Sequence, residues 1–372
     1  MGFCCGVGDG ATLGGPAVNI LCDFHHSDLW WSNYLTFEVA LGHKLYCPRG
    51  MGWFEKGYYQ QRHPDVAKQF LVHAMFTLEE AQAKFPRISL KKPPGNTFQY
   101  RASMDTIVGG RHFPLLRTLS FEEFASTKID VIMATTADML KPWAALRRDL
   151  KPAAKLVREE GNVNGWSVSH PDYKNVITSD FPTYQKIEAP NKLLYHQRFD
   201  TENVFKFRSP AYSDRISCFM PGFRSHPDLV KFTEAHDFGR MEFVDYGHHS
   251  KHGFLSPKEK YIEAMYRTAF VWHVKPGGDG FGHVLHNSLA MGRPIITIPD
   301  DYYNSLAWPL LLDGKTCILI GKNPSENSRK IKEFSNPKTI TEMSEAAAER
   351  FRKVVDYQWE TEQIKAFLWR LL

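Results

Sequence analysis

The sequence predicts an α/β protein built as two doubly wound parallel sheets. Three observations predict it. Short apolar runs alternate with amphipathic, helix-length segments; the series starts near residue 19 and starts again near residue 212; and 372 residues exceed what one ordinary core holds. With 43% apolar residues both units can bury a core, and 23% charged residues is a globular value that argues against wholesale disorder.

The first series opens with NILCDF (19–24), read as a buried strand. LWWSNYLTFEVALG (29–42) has apolar residues at helical spacing, with Gly42 as its stop, and HKLYCP (43–48) is a second strand closed by Pro48-Arg49-Gly50. That makes a β-α-β unit with a right-handed crossover. Residues 50–118 are aromatic and dotted with proline, and read as helices and long loops. KIDVIMATT (128–136), AAKLVREEGN (153–162) and NVITSDF (175–181) read as strands, and DMLKPWAALRRDL (138–150) as a helix.

The second series begins with the strand DRISCFMPGF (214–223). SHPDLVKFTEAH (225–236) is a helix with Ser225 as its expected cap and Pro227 in its first turn. MEFVDYG (241–247) is a strand, SPKEKYIEAMYRTA (256–269) a helix opened by Ser256-Pro257, and FVWHVK (270–275) a strand. A glycine-rich loop, a helix to Met291, the strand PIITIP (294–299), a helix from Asn304 to Leu312 and the strand TCILIG (316–321) follow. Residues 338–372 read as helical, with an apolar stripe of Trp359, Ile364, Phe367, Leu368 and Leu371. The boundary between the units falls near 200–213.

Net charge is +5, which suits an anionic ligand, and no block of five or more Lys/Arg marks a nucleic-acid surface. The six cysteines (Cys4, Cys5, Cys22, Cys47, Cys218, Cys317) include no C-x-x-C pair and mostly sit in strand-like runs, so buried free thiols in a reducing compartment are expected. No apolar run approaches the roughly 18 residues of a membrane span. The start, MGFCCG, lacks a signal-peptide pattern and has Gly6 where a myristoylation site has Ser or Thr. A cytoplasmic protein is the expectation.

The loop Lys275-Pro276-Gly277-Gly278-Asp279-Gly280-Phe281-Gly282 carries the strongest functional signal. Pro276 ends the strand, and Gly277 and Gly278 reach backbone conformations closed to other residues. The helix that follows offers unpaired N–H groups and the positive end of its dipole. Such a loop, at the carboxyl end of a strand, accepts a phosphate or sugar hydroxyls. Asp279 would repel a phosphate but can accept hydrogen bonds from a sugar; alternatively it caps the helix. On the helix Phe281, Val284, Leu285 and Leu289 form the buried stripe, while His283 and Asn287 share another stripe, Asn287 suiting a ribose diol. His286 is read as part of a solvated face. His283 and His286 lack a third ligand by spacing, so no metal is expected.

Asp279-Gly280-Phe281-Gly282, then Asn287, then Ala290-Met291-Gly292-Arg293-Pro294-Ile295-Ile296, resembles the donor motif E-G-F-G-x4-E-A-x-A-x-G-x-P-V of GT-B glycosyltransferases, especially the retaining group-4-like class. Asp279 stands in place of the first glutamate and Asn287 in place of the second. The resemblance implies two Rossmann-like domains facing a cleft: an acceptor domain at 1–205, a nucleotide-sugar domain at 206–345, and a helix at 346–372 crossing back. It implies a nucleotide-sugar co-substrate, a UDP-sugar foremost, with no separate cofactor, and metal-independent retaining transfer. It also implies basic residues for the diphosphate. Arg224, on the turn Pro221-Gly222-Phe223-Arg224, is the first choice, followed by Lys231, Lys251 and Lys275, each of which is otherwise a solvated charge.

The acceptor side is read from strand ends. His25, His26 and Asp28 follow the first strand and can orient or deprotonate a hydroxyl, unless Asp28 caps the next helix. Thr135 and Thr136 follow a second strand, and Asp180 follows a third. Trp30, with Trp31, Trp53, Trp143 and Trp166, offers a stacking surface or ordinary core. The acceptor class is open. A DNA glycosyltransferase of phage type acting on hydroxymethylated bases, a non-catalytic nucleotide-sugar sensor and a GT-B-type epimerase are the alternatives.

Overall fold

The computed structural model describes residues 16–23, 27–49, 117–135, 137–160, 174–209, 213–255 and 258–372. Two all-parallel sheets organise them. The first has seven strands in the order β3-β2-β1-β4-β5-β6-β7, with β1 Asn19–Cys22, β2 Lys44–Pro48, β3 Arg117–Leu119, β4 Val131–Ala134, β5 Lys155–Glu160, β6 Asn175–Thr178 and β7 Asn191–Leu194. The second has five in the order β12-β11-β10-β8-β9, with β8 Arg215–Cys218, β9 Glu242–Asp245, β10 Phe270–Trp272, β11 Ile295–Thr297 and β12 Cys317–Leu319. Strands such as VIMA, FVW and IIT are buried along their whole length, which suits a sheet covered on both faces. In each sheet the winding reverses beside its first strand, between β1 and β4 and between β8 and β10. Ligands of doubly wound sheets bind at the carboxyl ends of the strands flanking such a reversal.

Helix α1 (Ser27–Asn33) runs on as a π-helical turn, Tyr34–Ala40, and stops at Gly42, whose φ of 69° is left-handed. Helices α2 (Phe121–Ser126) and α3 (Ala137–Leu150) cover the other face of the first sheet. Helix α4 (Phe181–Lys186) follows β6. In the second unit α5 (Pro227–Glu234), α6 (Lys258–Tyr266), α7 (His283–Ala290) and α8 (Pro324–Phe334) cover the second sheet. Phe281, Leu285 and Leu289 join Val271, Ile295 and Leu310 in one core, as the helical stripe requires. Residues 256–257 lie outside the described residues, so α6 is followed only from Lys258.

Several expectations change. Ser225 does not cap α5: it ends a short 3-10 turn, and His226 occupies the cap without a side-chain bond. Residues 304–312 form turns with a 3-10 helix at Trp308–Leu310, because Pro309 has no N–H to return to residue 305. A separate helix, α8, precedes the tail, opened by the Asn323 side chain and Pro324. The tail itself is two helices, α9 (Pro337–Val354) and α10 (Tyr357–Leu371), divided at Asp356, whose carboxylate accepts from the N–H groups of Gln358 and Trp359.

Helix α9 packs on the second unit through Met343, Ala347 and Phe351. Helix α10 packs on the first: Ile364, Phe367, Leu368 and Leu371 are buried against Trp30, Phe37 and Ile177. Each contributes on the order of 2 kcal/mol. Trp359, expected in that stripe, is 59% exposed. Polar ties fix the crossing: the Glu360 carboxylate accepts from the His196 backbone N–H and pairs with its Nδ1 at 2.5 Å, and Arg198 donates to Thr361 Oγ1 at 2.6 Å. Cys22, Cys47, Cys218 and Cys317 are buried free thiols. Among the described residues no helix is long and apolar enough to cross a membrane.

Candidate functional site

Strand β10 leads straight into the glycine loop. His273 stays extended, its N–H bonded to the Ile296 carbonyl, and the chain turns with Gly278 N–H donating to the Lys275 carbonyl at 2.9 Å. Gly278 has φ 70°, and a Cβ there would stand 2.1 Å from the Asp301 carbonyl oxygen, so only glycine fits. The Asp301 carboxylate, in the turn after β11, accepts from Gly277 N–H at 3.0 Å. The loop is therefore pinned to the neighbouring strand before α7 begins.

Asp279 is not the helix cap. Gly282 takes that position, with φ 79° and no side-chain bond. The Asp279 carboxylate turns to the root of the loop. Its Oδ2 accepts from His273 Nε2 at 2.6 Å and from the Tyr302 hydroxyl at 3.3 Å, and its Oδ1 accepts from Lys275 Nζ. Burial pushes the carboxyl upward, but the His273 and Lys275 contacts overcome it and hold the group well below the usual carboxylate range.

Along α7, the reading of His286 as solvated is corrected: it is fully buried. The Phe281 ring stacks on it at 4.0 Å, and His196 of the first unit covers it at 5.6 Å between ring centroids. Its Nδ1 lies 3.1 Å from the Gly282 carbonyl and so carries the proton. Burial holds the ring's pKa well below its ordinary value, so it is neutral. Asn287 is also buried, hydrogen-bonded to the Tyr261 hydroxyl, and its Oδ1 has no hydrogen-bond partner among the described residues. His283 begins α7 with its ring edge-on to Phe281. Arg293, from the same motif, is buried and donates to the carbonyls of Met265, Tyr266 and Gly292, a packing role at the end of α6.

The basic residues divide. Arg224 sits at the end of β8 as expected, but it is engaged: Nε and Nη2 form a bidentate pair with Asp245 at 2.9 and 2.7 Å, and Nη1 reaches Glu234 at 3.3 Å. The hydrogen bonds to Asp245 raise the guanidinium pKa further. Lys231 and Lys251 are exposed. Lys275 is bound to Asp279.

On the acceptor side, His25, His26 and Thr136 lie outside the described residues. Asp28 is in the first turn of α1 and pairs across the two units with Lys258 Nζ at 2.9 Å. Trp30 is core, not a stacking surface, because its ring packs under α10. Asp180 caps α4, accepting from the N–H and hydroxyl of Thr183 at 2.8 and 2.6 Å. Both bonds fall on Oδ2. Thr135 is buried, with its N–H and hydroxyl on Asp23, which also accepts from Trp143 Nε1 at 2.8 Å. The structure thus brings Asp279, Lys275, Gly277, Gly278, Gly280, Gly282, His283 and Asn287 together at one strand end and sets Arg224 on the next. Sequence reasoning missed His273, Tyr302, Asp301 and Lys258. The visible signal was a histidine inside the apolar run FVWHV. Among the described residues no group of three or more metal-ligating side chains occurs.

No family model matches the chain, and no curated protein sequence matches it. Solved structures do. A crystal structure of Anabaena Alr3699/HepE in complex with UDP aligns over 96% of this chain and 100% of its own, with TM-score 0.58 and 12% identity. An α-glucosyltransferase in complex with UDP and a 13-mer DNA containing a HMU base aligns over 95% and 100%, with TM-score 0.58 and 10% identity. AviGT4, a glycosyltransferase involved in avilamycin A biosynthesis, aligns over 96% and 98%, with TM-score 0.53 and 11% identity. The fold is GT-B. At these identities the likeness is one of fold, and it extends over both GT-B units. The glycine loop and α7 sit at the winding reversal of the second GT-B unit, and Asp28 and Asp23 at that of the first.

Proposed function

We propose that the chain is a glycosyltransferase that moves a sugar from a nucleotide-sugar donor, a UDP-sugar foremost, to an acceptor hydroxyl, with retention of configuration and without a metal. One observation carries the reading: an ionised carboxylate, Asp279, held in a glycine loop beside the amino end of α7 at a winding reversal. The helix end and Lys275 suit the diphosphate, and the carboxylate suits the sugar hydroxyls. Asn287 lies one helical turn further on and suits the ribose. Residues 206–345 take the donor and residues 1–205 the acceptor, with 346–372 joining them.

In the reaction the bond from the anomeric carbon to the diphosphate oxygen breaks. The acceptor oxygen bonds to the same carbon, and its proton leaves on the departing diphosphate. The gain comes from stabilising the leaving group and from holding the acceptor on the face the diphosphate leaves, where retention requires it and where the proton can pass between them. Arg224 is held by two bonds to Asp245 and a third to Glu234, whereas Lys275 has a single bond to Asp279 and lies in the loop, so in this proposal the diphosphate charge falls mainly to the α7 amino end and Lys275.

The test is a thermal-shift panel of UDP-, GDP-, ADP- and dTDP-sugars on wild type and Asp279→Ala, followed by turnover with and without EDTA. We expect one donor to raise Tm, Asp279→Ala to lose that rise, and EDTA to leave turnover unchanged. No shift with any donor overturns the reading. Binding without turnover points to a sensor, and turnover without an acceptor product points to an epimerase or hydrolase. A nucleic-acid acceptor is the second reading, favoured by the fold likeness to the DNA-bound α-glucosyltransferase. It predicts retention of DNA that weakens steeply with salt.

A further inference from the structure

We infer that His273 is a positioning residue for the donor sugar, acting through Asp279; the inference rests on the donor-site reading above. His273 occupies a place where the strand pattern calls for an apolar side chain. It follows Phe270-Val271-Trp272, is only 4% exposed, and shares the α7 face of the sheet with Val271. Its backbone is tied on both sides, N–H to the Ile296 carbonyl and carbonyl to the Thr297 hydroxyl at 2.7 Å, so the ring rises from a fixed root.

The ring meets Asp279 through Nε2 at 2.6 Å. Asp279 is ionised, so the nitrogen facing it carries the proton. Nδ1 is buried with no hydrogen-bond partner among the described residues. An unpaired buried polar atom costs stability, and a leucine here would not incur that cost. What the imidazole supplies is direction. Asp279 Oδ2 takes the His273 N–H and the Tyr302 hydroxyl, which engages both its lone pairs. Among the described residues Oδ1 accepts from Lys275, whose side chain is 40% exposed and free to swing toward an arriving diphosphate. His273 thereby sets which oxygen is left for the sugar: Oδ1 accepts the sugar hydroxyl. Asp301, holding Gly277 N–H, fixes the other flank of the loop.

The test compares the affinity for UDP-glucose with that for UDP, by calorimetry, in wild type, His273→Leu, His273→Gln, Asp279→Asn and the double variant of His273→Leu with Asp279→Asn. A charge-assisted bond that aims the carboxylate is worth about 10- to 100-fold in affinity. His273→Leu is expected to lose that much of the UDP-glucose affinity while changing UDP affinity less than about threefold, by the same reckoning. His273→Gln, which restores an N–H near the Nε2 position, recovers most of it. Asp279→Asn added to His273→Leu costs less than Asp279→Asn costs in wild type, since part of its effect runs through the one contact. Equal losses for UDP and UDP-glucose, or no loss, overturn the inference and leave the donor site standing. Wild type that binds neither, with the rest of the donor panel also silent, overturns the donor-site reading itself and the inference with it. Should His273→Leu fail to fold, imidazole NMR of wild type decides: an Nε2-protonated ring whose N–H moves on adding UDP-glucose but not UDP supports the inference, and an Nδ1-protonated ring overturns it.

Discussion

Glu159, on β5, is buried beneath the first sheet and accepts from Asn33 Nδ2 at 2.7 Å and the Tyr195 hydroxyl at 2.6 Å. Burial pushes its carboxyl up to about 7 from 4.5. A group raised on folding binds its proton more tightly in the native state, so its stabilising contribution is full below about 4.5 and is lost as the pH rises through about 7. Thermal stability should therefore fall across that window. Glu159→Gln should flatten the fall by roughly a few degrees in Tm, measured by calorimetry from pH 5 to 8. The substitution is accommodated because the buried Asn33 Oδ1 has no partner, so the asparagine can turn and accept from the new amide. Asp279 has the opposite sign. Its carboxyl is depressed, so its contribution is present above the ordinary carboxylate pKa and is lost only as the pH falls below it. An acid loss of activity near pH 5 would then belong to another group. Asp279 was legible in the sequence as the acid of the loop; its partners were not, because His273 approaches it only once the loop has turned back.

At the scale of the element, the loop before α7 tests two adjacent glycines. Gly277 (φ 79°) has open space where a Cβ would go, while at Gly278 (φ 70°) the Cβ would overlap the Asp301 carbonyl. Gly277→Ala should cost about 1–2 kcal/mol of left-handed strain and keep donor binding. Gly278→Ala must displace the turn after β11 and should abolish the donor-induced Tm rise, which the same thermal-shift panel reads. The sequence marks both glycines alike as turn residues. Only the packing of the Asp301 turn against the loop separates them. Helix identities follow the same rule: the Asn323-Pro324, Asn336-Pro337 and Asp356 starts are local signals, whereas the burial of His286 depends on His196 arriving from the other unit.

Across the whole molecule, the two units meet through Lys258 and Asp28, and Asn304 donates to Gln185 at 3.1 Å. Lys258 also lies over the rings of Phe205 and Tyr261. The ion pair is partly exposed, so its contribution to stability is under about 1 kcal/mol. It joins α6 of the second unit to α1 of the first. Lys258→Met keeps the stem over the rings and removes the charge. It should leave Tm nearly unchanged while raising the radius of gyration in solution scattering. An unchanged radius in low salt would show that the pair does not govern closure.

The sequence by itself determined the two parallel sheets, the placement of most strands, the glycine loop and its acid, because these rest on local periodicity and turn chemistry. The tertiary structure decided which charges are available. Arg224 is bound by Asp245, Asp180 by the start of α4, Asp28 by Lys258 and Asp279 by His273 and Lys275. Arg224–Asp245 and Asp28–Lys258 join residues far apart in the chain and depend on which elements lie side by side, whereas Asp180 and Asp279 are held within their own turns by the way each loop folds back. A residue's type states what it can bond to; only the strand order and the turn of each loop place the partner within reach.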